Sequence, residues 1–171
     1  MNLESEAIQL TKDLGEVVFV GAFAVIAHIG GYRQTRDLDL AVATPISEVE
    51  LERLGYPTRQ EGRNRITRTP GGVKIDIYTR DVGGIPIEDI FRTAADVPLR
   101  KGRIRVMGLE ALLLAKLRAS RPQDIEDIRQ IVRVRAGKID WEVVRLLASD
   151  EVESANLKNI VAAISGARVR F

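Results

Sequence analysis

The sequence of 171 residues contains no cysteine and a single histidine, His28. The first absence excludes disulfides, zinc-thiolate centres and thiol nucleophiles, and the second rules out a histidine metal cluster. Any metal must therefore be held by oxygen ligands. Aromatic residues make up only 5% of the chain. Trp141 and Phe171 lie far along it, so a base-stacking platform of the kind seen in single-strand nucleic-acid binders is not indicated. No run approaches the roughly 18 consecutive apolar residues of a membrane span. The acidic start MNLESEAIQL has neither the basic region nor the apolar stretch of a secretory signal. A cytoplasmic protein without a membrane partner is the expectation.

Enough apolar material is present for a core. With 45% hydrophobic residues, the chain supports one ordinary core with a small helical appendage rather than two full domains. Its formal net charge is only +2, yet it carries 20 arginines against 6 lysines. Arginine suits bidentate phosphate contacts, which points toward phosphate-bearing ligands; an arginine-rich solvated surface gives the same count. Both readings also apply to Arg59, Arg63, Arg65 and Arg68 and to Arg100, Lys101, Arg103 and Arg105, which either grip an RNA backbone or face water.

Periodicity sets out the elements. Residues 3–14 carry apolar positions at helical spacings and end at Gly15. VVFVG, residues 17–21, is an apolar run stopped by glycine, as in a buried strand. Residues 22–29 are small and apolar, suiting a helix packed on a sheet, and Gly30-Gly31 ends it. DLDLAVA, residues 37–43, alternates with period two, so Leu38, Leu40 and Val42 share one face and Asp37 and Asp39 the other. Thr44-Pro45 is expected to open a short helix that ends near Leu54-Gly55. An arginine-dense stretch, 59–68, then leads through Pro70-Gly71-Gly72 into VKIDIYT, residues 73–79, in a hairpin pattern. Lys74, Asp76 and Tyr78 share one face of that strand. A small β-pair follows near 97–99 and 104–106, and residues 108–120, 123–134, 140–149 and 153–164 show helical spacings. The pattern predicts an α/β (α+β) fold: a small mixed sheet flanked by helices over residues 1–107, with a C-terminal helical region, 108–171, packed on it.

Carboxylates two residues apart on a strand point the same way with Cα atoms about 7 Å apart, so Asp37 and Asp39 can bracket a metal ion. Asp76, from a neighbouring strand, would complete an all-oxygen site of the type magnesium prefers, with water and phosphates filling the remaining positions. Ions so held stabilise the attacking and leaving oxygens of an in-line displacement. Gly21, at a strand-to-helix junction, lets backbone N–H groups and the positive helix end approach a triphosphate. Each signal is common singly, and the ordered set much less so. His28 reads as a packed structural residue. Lys116, among Leu112, Leu113, Leu114 and Leu117, reads as a snorkelling side chain at the edge of a core helix.

In this order the residues resemble the nucleotidyltransferase superfamily. VGAFAVIAHIGGYRQTRDLDLAV, residues 20–42, is similar to its Gly-(Gly/Ser)…Asp-x-Asp signature, with Gly21-Ala22 at the place of the glycine pair, and KIDIY is similar to its third-carboxylate strand. The chain also resembles the AbiEii-type and related minimal nucleotidyltransferases. Their arginine and Thr-x-Asp-x-Asp are matched by Arg33 and Thr35-Arg36-Asp37-Leu38-Asp39. LEALLLAKLRASRPQDIEDI, residues 109–128, resembles a leucine-rich segment of those proteins in which a lysine faces the triphosphate; Lys116, Arg121, Asp124 and Asp127 are the matching positions. The resemblance implies a nucleotidyltransferase fold and an enzyme, dependent on Mg2+ or Mn2+, that moves NMP from an NTP to an acceptor hydroxyl. It implies that Asp37, Asp39 and Asp76 are catalytic and metal-binding, and that Gly21, Ala22, Arg33, Arg36, Lys116 and Asp124 receive the nucleotide. It further implies a toxin–antitoxin setting, with the 3′ end of tRNA or a partner protein as acceptor. A catalytically inactive interaction module with the same fold is the alternative.

Overall fold

The computed structural model describes residues 2–166. Helix α1 (Leu3–Leu14) starts where Asn2 Oδ1 accepts the Glu4 N–H at 3.1 Å, and it buries Ala7, Ile8 and Leu10. Strand β1 (Val17–Val20) is buried throughout and runs directly into α2 (Gly21–Ile29). In β2 (Asp37–Val42) Leu38 and Leu40 are fully buried while Asp37 and Asp39 stand partly exposed, as the period-two alternation requires.

The next helix, α3 (Glu48–Arg53), begins later than Thr44-Pro45 suggests. Ser47 caps it by accepting the Glu50 N–H at 3.2 Å, and a serine hydroxyl fixes a helix start more firmly than a preceding proline does. The arginine-dense stretch folds as a hairpin of β3 (Thr58–Glu61) and β4 (Asn64–Arg68), and β4 pairs in turn with β5 (Lys74–Tyr78). A two-residue-wide hairpin, β6 (Asp81–Val82) and β7 (Ile85–Pro86), leads into α4 (Ile87–Arg92). Then come β8 (Ala95–Leu99), β9 (Gly102–Val106), α5 (Leu109–Ala119), α6 (Pro122–Arg135), α7 (Trp141–Leu147) and α8 (Glu151–Gly166).

Seven strands form one mixed sheet in the order β3-β4-β5-β2-β1-β9-β8. β2 runs parallel to β5 and β1 parallel to β9, while the other neighbours are antiparallel. α2 packs on β1 and β2 and touches both α5 and α6; α6 in turn meets α8. One apolar cluster therefore runs from Ala7 to Val161, and α5 to α8 share it with the sheet. Phe19 and Phe23 add an edge-to-face pair at 5.5 Å inside it. Of the helical region expected over 108–171, residues 167–171, Phe171 among them, lie outside the described residues. Among those described, no helix is long and apolar enough to cross a membrane.

Candidate active site

The site begins with a close backbone approach. In the antiparallel pair of β1 and β2, Val20 stands opposite Asp39, so the chain leaving β1 passes over that carboxylate. Gly21 there has φ +63°, and a Cβ on it would lie 2.5 Å from Asp39 Oδ2. Only glycine fits the conformation and the space. The approach brings the start of α2 beside an acidic side chain. No side chain caps this helix end, which leaves its first N–H groups available to an anionic ligand.

The parallel register of β2 and β5 sets Asp37 opposite Lys74 and Asp39 opposite Asp76. All three expected carboxylates thus project from one face, with Lys74 among them. Burial first, and then the charges of Asp76 and Asp37, push the Asp39 carboxyl up to about 6. A half-buried carboxylate beside two others favours a nearby cation, and an all-oxygen donor set is the one that Mg2+ or Mn2+ takes. Among the described residues no three acidic or histidine side chains converge closely enough to enclose an ion. Asp37 and Asp39 fit as two ligands, the rest of the shell falling to water and phosphate. Asp76 is engaged elsewhere, since it accepts from Lys74 Nζ at 2.8 Å.

A cleft of about 450 Å³ opens over this face, within the range of small-ligand sites. Gly21, Ala22, Asp37 and Asp39 line it from the β1–α2 and β2 side, and Arg33, Lys116, Arg121 and Asp124, joined through one ion network, line the rest. Arg36 and Asp76 are not among its lining residues. Tyr78, Val82, Gly83 and Gln123 are, and none of them stands out as a site residue in the sequence. The β6–β7 hairpin is too short to leave a periodic signal. It is seated by Gly83, where a Cβ would meet that of Ala115 at 2.8 Å, and by Arg118, which donates to Gly83 O at 2.8 Å and to Glu153 Oε1 at 2.6 Å.

Behind the far wall lies a buried ion network. Lys116 is 7% exposed, and its Nζ is 2.9 Å from Asp124 Oδ1 and 2.7 Å from Asp127 Oδ2. Arg33 grips Asp127 with Nε and Nη2, both at 3.0 Å, and the Tyr32 hydroxyl donates to the same carboxylate. Arg121 Nε holds Asp124 Oδ2 at 2.6 Å. Burial lowers the Lys116 pKa. Burial also opposes charge on Asp124, yet the hydrogen bonds from Arg121 and Lys116 outweigh it and hold that carboxyl down near 2. Asp127 is pushed up by burial to about 6; the adjoining Lys116 and Arg33 cations favour its charged form. Lys116 is therefore committed to two carboxylates, and the network ties the segment after α2 to α5 and α6. The side chain of Arg121, although paired with Asp124, is 75% exposed and presents its charge at the surface of that wall.

His28 is a packed residue, as expected. Its Nε2 lies 2.8 Å from Met107 O, and burial lowers its pKa. Three arginines of the 59–68 stretch are paired on the surface: Arg59 with Glu52 at 3.0 Å, Arg65 with Glu48 at 2.5 Å and Arg68 with Glu61 at 2.9 Å. Arg105 lies over the Phe91 ring and donates to Phe91 O. These contacts compete with phosphate.

Comparison with known proteins agrees with this fold. An antigenic nucleotidyltransferase-like protein from Paracoccidioides brasiliensis aligns with a TM-score of 0.52 at 16% identity, covering 96% of this chain and 85% of the other. A nucleotidyltransferase from H. pylori aligns at 0.55 and 14%, covering 96% and 93%. The antibiotic-resistance factor ANT(2'')-Ia aligns at 0.53 and 16%, covering 98% and 99%. These likenesses show a shared nucleotidyltransferase fold. No curated protein matches the sequence. Residues 2–159 match the family described as "Nucleotidyl transferase of unknown function (DUF2204)", and the chain belongs to that family.

Proposed function

We propose that the protein is a metal-dependent nucleotidyltransferase that moves an NMP unit from an NTP to an acceptor hydroxyl and releases pyrophosphate. The observation that carries this reading is the cleft in which the glycine-opened start of α2 meets Asp37 and Asp39, facing Arg121 on the opposite wall. Family membership and fold support it. Asp37 and Asp39 would hold Mg2+ or Mn2+, and the bound cation would supply charge neutralisation along the triphosphate. The N–H groups at Gly21-Ala22 receive phosphate oxygens, and Arg121 and Arg33 add positive charge where negative charge develops. Lys116 and Asp124 hold the opposite wall in place. Asp76, the third carboxylate of the face, accepts the proton of the acceptor hydroxyl. The freed oxygen attacks the α-phosphorus, and the bond to the bridging oxygen breaks as pyrophosphate leaves. Positioning and preorganised charge do most of the catalysis in such a transfer.

The acceptor, on the resemblance to AbiEii-type proteins, is the 3′ end of tRNA or a hydroxyl of a partner protein in a toxin–antitoxin pair. Incubation with each α-labelled NTP, Mg2+ and either total tRNA or cell protein tests the proposal. Label transfer that disappears in Asp37→Ala supports it. Failure to bind any NTP with any divalent cation contradicts it and leaves the fold as an interaction module.

A further inference from the structure

Lys74 stands in the patch of three carboxylates, and the transfer just described leaves it without a task. The register of β2 and β5 places Asp37 beside Lys74 and Asp39 beside Asp76, and alternate residues of a strand share a face. The four side chains therefore form a two-by-two array, with strands about 4.8 Å apart and alternate residues about 7 Å apart. Within it the Lys74 ammonium lies 2.8 Å from Asp76 Oδ2, and the two side chains are 32% and 43% exposed. Water reaches the pair, so a dissolved cation can contest the position. Three aspartates and one lysine sum to a charge of −2, which one divalent cation balances. A second ion would have to displace the ammonium from Asp76 or sit beside it, and either costs Coulomb energy at this separation.

We infer that Lys74 is a built-in counter-ion that claims Asp76 and limits the array to one divalent cation, held by Asp37 and Asp39. The inference rests on the nucleotidyl-transfer reading and revises the expectation that Asp76 is a metal ligand. Lys74 is thus a positioning residue: its ammonium, 2.8 Å from Asp76 Oδ2, keeps Asp76 off the metal.

Titration of the full-length protein with Mn2+ alone, read by electron paramagnetic resonance and calorimetry, tests this. Wild type is expected to bind one Mn2+, and Asp39→Asn is expected to lose it. In Lys74→Met, with Lys74→Gln as a second variant, a second Mn2+ should bind or the first should tighten at least tenfold. The pair Lys74→Met with Asp76→Asn keeps the net charge and should bind one Mn2+ within about threefold of the wild-type affinity. Circular dichroism and melting curves confirm that each variant is folded. Two Mn2+ ions in wild type, no change in either Lys74 variant, or a tenfold loss in the charge-neutral pair would each overturn the inference while leaving nucleotidyl transfer standing. A wild-type protein that binds no Mn2+ at all would likewise overturn the inference, whereas nucleotidyl transfer itself falls only if no NTP binds with any divalent cation.

Discussion

Gly21→Ala is the sharpest perturbation the site offers. The added Cβ would lie 2.5 Å from Asp39 Oδ2, 0.9 Å short of an ordinary contact at 3.4 Å. Alanine at φ +63° costs about 1–2 kcal/mol. Driving the Asp39 side chain off its rotamer adds about 1 kcal/mol. A total near 2–3 kcal/mol lowers Tm by about 4–12 °C for a chain of this size. Activity should suffer more, because a shift of about 1 Å at a reacting group costs about a hundredfold. The assay is label transfer from an NTP at saturating Mg2+, with Mn2+ affinity and melting curves taken on the same protein. Ala22→Gly is the control: residue 22 also lines the cleft, and this change removes a methyl group rather than adding one. It should lose about 1 kcal/mol of stability at most and retain Mn2+ affinity. Gly21→Ala with wild-type Mn2+ affinity and transfer would refute the reasoning, because the carboxylate would then have tolerated the collision.

Lys116→Met should destabilise by about 3 kcal/mol, or about 6–12 °C in Tm, since it leaves two buried carboxylates short of their shared cation; a loss below about 1 kcal/mol in urea unfolding would show that Arg33 and Arg121 suffice. Glu153 gives a pH prediction. The hydrogen bond from Arg118 holds its carboxyl down to about 2, against an ordinary 4.5, with both side chains mostly buried. The lowered value means that its contribution, about 3 kcal/mol at most, is complete above about pH 4.5 and drains away as the pH falls toward 2. Glu153→Gln should therefore be less stable than wild type at pH 7, and the gap should close at pH 2–3. Asp39→Asn should abolish transfer yet raise the Tm of the metal-free protein at pH 7, because it removes a half-buried charge beside two like charges; a lower Tm would contradict that electrostatic account.

Where a local pattern decides the structure, the sequence was legible. α1 occupies residues 3–14 as its spacing and glycine stop require, and the Asp37–Asp39 strand presents its carboxylates together because strand periodicity leaves no alternative. The edge strand β3 was hidden, because Thr58–Glu61 is polar and mostly exposed and so carries no alternation of burial. The same holds for the β6–β7 hairpin, whose two-residue strands are too short to show a period. Lys116 illustrates the deeper limit. Its place among leucines suggests a side chain at the edge of a core helix, whereas its buried pairing with Asp124 and Asp127 exists only in the packing across the α5–α6 corner. Likewise Lys74 and Asp76 are visible as one face of a strand, but their relation to Asp37 and Asp39 exists only in the pairing register.

Parallel reactions with α-labelled and γ-labelled NTP test the central claim most directly. The account predicts that the α label appears on the acceptor and the γ label in pyrophosphate, and that Asp39→Asn loses both. A γ label on the acceptor, or transfer undiminished in Asp39→Asn, would contradict it.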